Sequence, residues 1–184
     1  MTKDIELFKF TRLYLGQKNW ELLKATTKEE LALMQKYPID LKKSYLVYGS
    51  QSMLEKFRAF YLTRCIKERP LYSQYPMSDY ADELSSGTKD EYGLNVDQDL
   101  IFLYQHNHIS SLGNSEKWLN ETIINKIAIR NREGLITVIL SEVALPMIKN
   151  SGEVELINLN KRPTRNIKIV KQSSNDEADF DLYS

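Results

Sequence analysis

The chain has 184 residues, the size of one domain with a short tail, and 42% of them are hydrophobic, enough for a sizeable core. Its 25 basic and 25 acidic side chains cancel, which excludes a global field steering it to nucleic acid, so any charge argument is local. Its single cysteine, Cys65, excludes a disulfide framework, and no segment reaches the roughly 20 apolar residues of a membrane helix.

Residues 1 to 25 mix charge with Leu7, Phe8, Phe10, Leu13, Tyr14 and Leu15, which suggests a short helix or adapter segment. The charges at Lys3, Asp4, Glu6 and Lys9 argue against a signal peptide. A cytoplasmic protein with no membrane partner is therefore expected. Thr26 with Glu29, and Thr27 with Glu30, both fit a capping box for a helix running to about Lys36, which Pro38 ends. The apolar run Ser44 to Gly49 reads as a buried strand followed by a sharp turn. Ser52 and Glu55 form another capping-box pattern. Phe57, Phe60, Tyr61 and Cys65 then recur at helical spacing to Ile66. There Cys65 reads as a small buried hydrophobe.

A second strand is expected around Leu71 to Pro76, then a helix from Asp79 to Leu84 capped by Ser78. Ser85 to Gln98 is a polar loop with two glycines, and Asp99 to Tyr104 is a buried strand. His106 and His108 fall in the next loop. With no Cys or acidic ligand cluster nearby, they read as polar loop residues, and no metal is expected. A long helix spans Ser115 to Glu133 with Gly134 as its stop, and Leu135 to Leu140 is another buried strand. Val154 to Leu159 and Ile167 to Val170 are candidates for a closing pair of strands, and 172–184 reads as a disordered acidic tail. Short, wholly apolar strands alternating with helices predict an α/β fold with a mostly parallel sheet covered on both faces. The expected divisions are 1–37, 38–171 and 172–184.

The order of strand, glycine turn and helix, then DLIFLY, then a helix ending IAIRNREG, then LITVILSE, resembles the ATPase domain of bacterial replicative-helicase loaders of the DnaC/DnaI type. The related IstB transposition ATPases share it, and all belong to the AAA+ superfamily. The residues that carry the likeness include Arg130, Arg132, Gly134 and Ser141-Glu142, within about residues 36 to 145. The resemblance implies a three-layer α/β/α P-loop domain.

The chemistry of that family is not matched. A phosphate loop reads G-x-x-x-x-G-K-[ST]: glycines admit the phosphates, Lys supplies charge and a hydroxyl holds Mg²⁺. Counting from Gly49, Leu54 replaces the second glycine, Glu55 the lysine and Lys56 the hydroxyl residue; sliding by one restores Lys56 but puts Phe57 at the Mg²⁺ position. Glu55 also sets negative charge where phosphates would sit, and a like-charge pair at about 4 Å costs roughly 4 kcal/mol at an intermediate dielectric. The family places carboxylates after the third strand, where Tyr104 and Gln105 stand here, and an Asn after the fourth, where Glu142 stands. No catalytic residue and no cofactor are therefore expected.

Arg130 and Arg132 end the long helix, where they oppose its dipole, and are also candidates for partner contact. Lys161, Arg162, Arg165, Lys168 and Lys171 read equally as phosphate contacts or as an edge strand protected by lysines. The tail carries Asp176, Glu177, Asp179 and Asp181 with Phe180, Leu182 and Tyr183, which suits a solubilising tail or a docking peptide. The resulting expectation is a non-catalytic AAA+-like protein that binds a helicase, a helicase loader or a related ATPase, with DNA as a further partner. An atypical NTPase completed by a partner subunit, and a structural subunit of a complex unrelated to DNA, are the alternatives.

Overall fold

The computed structural model describes residues 2–86, 98–106 and 115–160. In chain order they form α1 (Thr2–Lys24), α2 (Lys28–Gln35), β1 (Tyr45–Tyr48), α3 (Gln51–Arg64), β2 (Tyr72–Pro76) and α4 (Met77–Ser86). Then come β3 (Leu100–Gln105), α5 (Ser115–Arg132), β4 (Ile136–Ser141), α6 (Pro146–Lys149) and β5 (Glu155–Asn158). The five strands make one wholly parallel sheet in the order β2-β3-β4-β1-β5. The expected strands 44–49, 71–76, 99–104, 135–140 and 154–159 all form, within a residue or two. The proposed strand Ile167 to Val170 and the tail 172–184 lie outside the described residues.

Strand side chains alternate between two cores because successive residues of a strand face opposite ways. Tyr45, Val47, Phe102, Val138, Leu140 and Ile157 point to one face, where α3 supplies Leu54, Phe57 and Tyr61. Leu46, Ile101, Leu103 and Ile139 point to the other, against Tyr80 of α4, Ile123 and Ile127 of α5, and Ile148 of α6. This is the three-layer α/β/α arrangement. On the α3 face a further layer is added: Leu15 of α1 and Met34 of α2 are buried in the same core. Sandwiched between sheet and α1, α3 is apolar nearly all round, as a buried helix must be, and Arg58 is the exception within its run of buried residues.

Local signals account for most of the ends. Thr27 caps α2 with a complete capping box: its hydroxyl accepts from the Glu30 amide at 3.2 Å, and Glu30 accepts from the Thr27 amide at 2.9 Å. Thr26 closes α1 instead, donating its hydroxyl to the Leu22 carbonyl. Gly134, at φ 74°, ends α5 in a Schellman motif, with the Gly134 amide bonded to Asn131 O and the Leu135 amide to Arg130 O. Gly16, also at φ 74°, interrupts α1.

Two expectations are corrected. The pair Ser52 and Glu55 does not cap α3. The cap is Ser50, whose hydroxyl accepts from the Met53 amide at 3.4 Å, and Ser52 is already inside the exposed first turn. The next helix starts at Met77, so Ser78 lies within α4 and is not its cap. No helix among the described residues is long and apolar enough to cross a membrane.

Candidate functional site at the carboxyl ends of the strands

In open parallel sheets, ligands bind beyond the carboxyl ends of the strands. Here β1 ends at Tyr48 and α3 begins at Gln51, so only Gly49 and Ser50 connect them. The residues that the motif count assigns to a phosphate loop, from Gln51 onward, are helix. Gly49 is buried, its amide bonds the Ser141 carbonyl, and Leu159, Leu54 and Met53 would sit 3.4–3.5 Å from a Cβ placed on it. The turn is packed by side chains. Leu54, at the second glycine position, is fully buried in the core.

The amino end of α3 is the natural anion position, because its first N–H groups lack partners within the helix. An anion already sits there, supplied by the protein. Glu142, one residue past β4, accepts the Gln51 amide on Oε1 at 3.2 Å. Its Oε2 lies 3.1 Å from His106 Nδ1. The Glu142 amide bonds the Gln105 carbonyl, which holds this carboxylate over the helix end. With Ser50 serving the Met53 amide, the first turn of α3 is capped from within the fold. A carboxylate at this pole stabilises the helix by about 0.3–1 kcal/mol.

Neighbouring residues on a helix diverge by about 100°, and Glu55 and Lys56 separate accordingly. Lys56 turns to α2 and bonds both carboxylate oxygens of Glu30, at 2.8 and 3.0 Å, in a largely buried ion pair. Glu55 turns the other way, into a cleft over the ends of β2 and β3. Tyr104 lines that cleft as well. Burial pushes its hydroxyl up to about 12, partly offset by Arg58, so it stays neutral near pH 7 and offers no anionic ligand to a metal. Its ring stacks on His106 at 5.4 Å. Gln105, the other residue in the carboxylate position, is buried. Among the described residues no cluster of three or more His, Cys, Asp or Glu is arranged to hold a metal.

Arg130 is turned into the fold. It is fully buried, donating to Thr137 Oγ1 at 3.0 Å, Gln98 O at 2.7 Å and Ile136 O at 2.9 Å. It thus ties the end of α5 to the start of β4. Arg132 is exposed and bonds only back to Ala128 O among the contacts seen. Cys65 is buried, as expected, and burial pushes its thiol up to about 12. His108, the basic segment Lys161, Arg162, Arg165, Lys168 and Lys171, and the tail residues Phe180 and Tyr183 lie outside the described residues.

Sequence reasoning passed over Arg58. It is 3% exposed, with Nε bonded to Asn19 Oδ1 at 3.1 Å, Nη1 bonded to Gln74 Oε1 at 3.0 Å and to the Tyr104 hydroxyl, and its guanidinium 5.7 Å from the Tyr104 ring centre. A signal was present: Phe57 to Leu62 is apolar all round except for this one charge, so the charge had to be buried.

No family profile matches the chain, and no curated protein does. Solved structures do. The DnaC helicase loader is 14% identical with a TM-score of 0.45, covering 72% of this chain and 86% of that one. A putative primosome component from Streptococcus pyogenes serotype M3 is 13% identical with a TM-score of 0.38, covering 79% and 81%. Domain III of the replication initiation protein DnaA from Thermotoga maritima is 13% identical with a TM-score of 0.43, covering 79% and 63%.

Proposed function

We infer that this chain is a non-catalytic AAA+-like protein that acts by contact. Its partner is a helicase, a helicase loader or a related ATPase, in DNA replication or mobile-element biology. The observation that carries this reading is the Glu142 carboxylate seated on the Gln51 amide, where a nucleotide's phosphates would need the helix end. A triphosphate would have to displace it. It would find no loop to wrap it, because two residues separate strand from helix, and no lysine to meet it, because Lys56 is held by Glu30. Phosphoryl transfer depends on positioned cations and metal, and two positions here, the Gln51 amide and Lys56, are committed to other contacts. A domain of this shape without the motor chemistry is suited to engaging a motor protein. DNA is a second partner in this reading, through Lys161, Arg162, Arg165, Lys168 and Lys171.

The test is to add the purified full chain to a purified replicative helicase, with and without its loader, and to measure association by sedimentation together with the helicase's ATP turnover. Association with a change in turnover is expected, with no turnover by the chain alone. Absence of association with helicase and loader alike would end the contact reading. For DNA, neutralising Arg162, Arg165 and Lys168 should weaken salt-dependent binding; unchanged binding removes that segment as the contact.

A further inference from the structure

We propose that the cleft over the ends of β2 and β3 is a binding site for a carboxylate group, anchored by Arg58 and completed by Lys18. The cleft, about 210 Å³, is lined by Lys18, Glu55, Arg58, Gln74, Tyr104 and His106 among others. A guanidinium keeps its proton at any physiological pH. Burying one without a counter-charge carries a large desolvation cost, so buried charges are normally paired. Arg58 is 3% exposed, yet its hydrogen-bond partners among the described residues are all neutral: Asn19, Gln74 and Tyr104. These account for Nε and Nη1. Nη2 makes no hydrogen bond among the described residues, and Arg58 forms part of the cleft wall.

The three neutral partners, drawn from α1, β2 and β3, fix the guanidinium plane before any ligand arrives. With Nε and Nη1 taken by those partners, the two N–H groups of Nη2 are left in a fixed plane to meet a carboxylate with charge-assisted hydrogen bonds. Lys18, exposed at the rim, adds a second positive charge. The stacked pair Tyr104 and His106 forms an aromatic wall beside it. Glu55 lies in the same cleft with no hydrogen bond or ion pair among the described residues, so its like charge limits how tightly a carboxylate is held. The site is independent of the nucleotide-free reading above, since Arg58 lines this cleft whatever the end of α3 binds.

The carboxylate has two sources: a separate molecule, or the acidic residues Asp176, Glu177, Asp179 and Asp181 of the chain itself. Both are tested by following the Arg58 Nε–Hε resonance in the full chain during titration with sodium glutamate at constant ionic strength. Sodium chloride and sodium phosphate are the comparators. The same titration is run on a full chain carrying Asp176→Asn, Glu177→Gln, Asp179→Asn and Asp181→Asn. A saturable glutamate response in both chains assigns the site to a separate carboxylate. Saturation only in the neutralised chain assigns it to the chain's own acids. In the chain that responds, Lys18→Gln should weaken glutamate binding by about fivefold, the scale of an exposed charge pair. Glu55→Gln should tighten glutamate binding, because it removes a like charge from the cleft. Lys18 is exposed and Glu55 half-exposed, so neither variant depends on the fold surviving loss of Arg58. A linear, chloride-like response in both chains, or glutamate binding that Lys18→Gln and Glu55→Gln leave unchanged, would overturn the proposal.

Discussion

The two ends of the sheet use the same residue types differently. At the amino ends of the strands, the buried Arg130 bonds the Gln98 and Ile136 carbonyls and the Thr137 hydroxyl, and Ser44 joins Asn131 to the Thr137 amide at 2.6 and 3.0 Å. At the carboxyl ends, the buried Arg58 is held by three side chains and opens on a cleft, and the carboxylate of Glu142 caps a helix. Ile136 and Thr137 lie within β4, so those acceptors are fixed by the sheet and the first arrangement is structural. The second leaves Arg58 in a cleft wall, where the carboxylate site is proposed. The difference lies in the partners, since both arginines are equally hidden.

Stability measurements on substituted chains check that contrast. The largest effect is expected at Leu54, where a position that would be glycine in a phosphate loop has become core. Leu54→Ala should lower the unfolding free energy by about 2–5 kcal/mol in urea titration; a cost near zero would mean the turn is not packed as described. Next, Arg130→Met strands the Gln98 and Ile136 carbonyls and should cost about 2–3 kcal/mol, while Arg132→Ala, two residues on but exposed, should stay within about 0.5 kcal/mol. Equal effects would erase the distinction between lock and surface charge. Smaller again, Thr27→Ala should cost about 1 kcal/mol through loss of its capping box, and Ser50→Ala a similar amount, but Ser52→Ala little.

Alkaline pH supplies a graded check. The Cys65 thiol is raised from 9.0 to about 12, and Tyr104 from 10.0 to about 12, each chiefly by burial. A raised folded-state value means these groups stabilise fully below their unfolded values and lose that contribution as pH climbs. Stability should therefore fall between about pH 9 and 12. Alkylation of Cys65 at pH 8 should be slow in the native chain and fast in urea; rapid native reaction would show the α3 core to be open.

Much of this was legible in the sequence. The strands around Val47, Phe102 and Ile139 stand out because a strand buried on both faces is apolar throughout. The edge strand β2 is fainter, since Tyr72–Pro76 has one face half-exposed and ends in proline. The end of α5 was readable from Gly134, a local signal. The start of α3 was not. Ser52 and Glu55 carry the right letters, but Ser50 and the Glu142 carboxylate, 91 residues away from Gln51, set the boundary. Motif spacing counted from Gly49 does not reveal that only Gly49 and Ser50 join β1 to α3. Arg130 looked like a dipole counter-charge because its acceptors, on β4 and before β3, are brought to it only by the folded sheet. Arg58 was masked by the same non-locality, its three partners coming from three other elements.

The central claim is that the end of α3 is already filled by Glu142 and does not take a nucleotide. The direct measurement is calorimetric titration of the full chain with ATP and Mg²⁺. No saturable heat is expected up to millimolar nucleotide, and none from the Lys56→Ala chain. Tight binding of ATP with hydrolysis, abolished in Lys56→Ala, would contradict it.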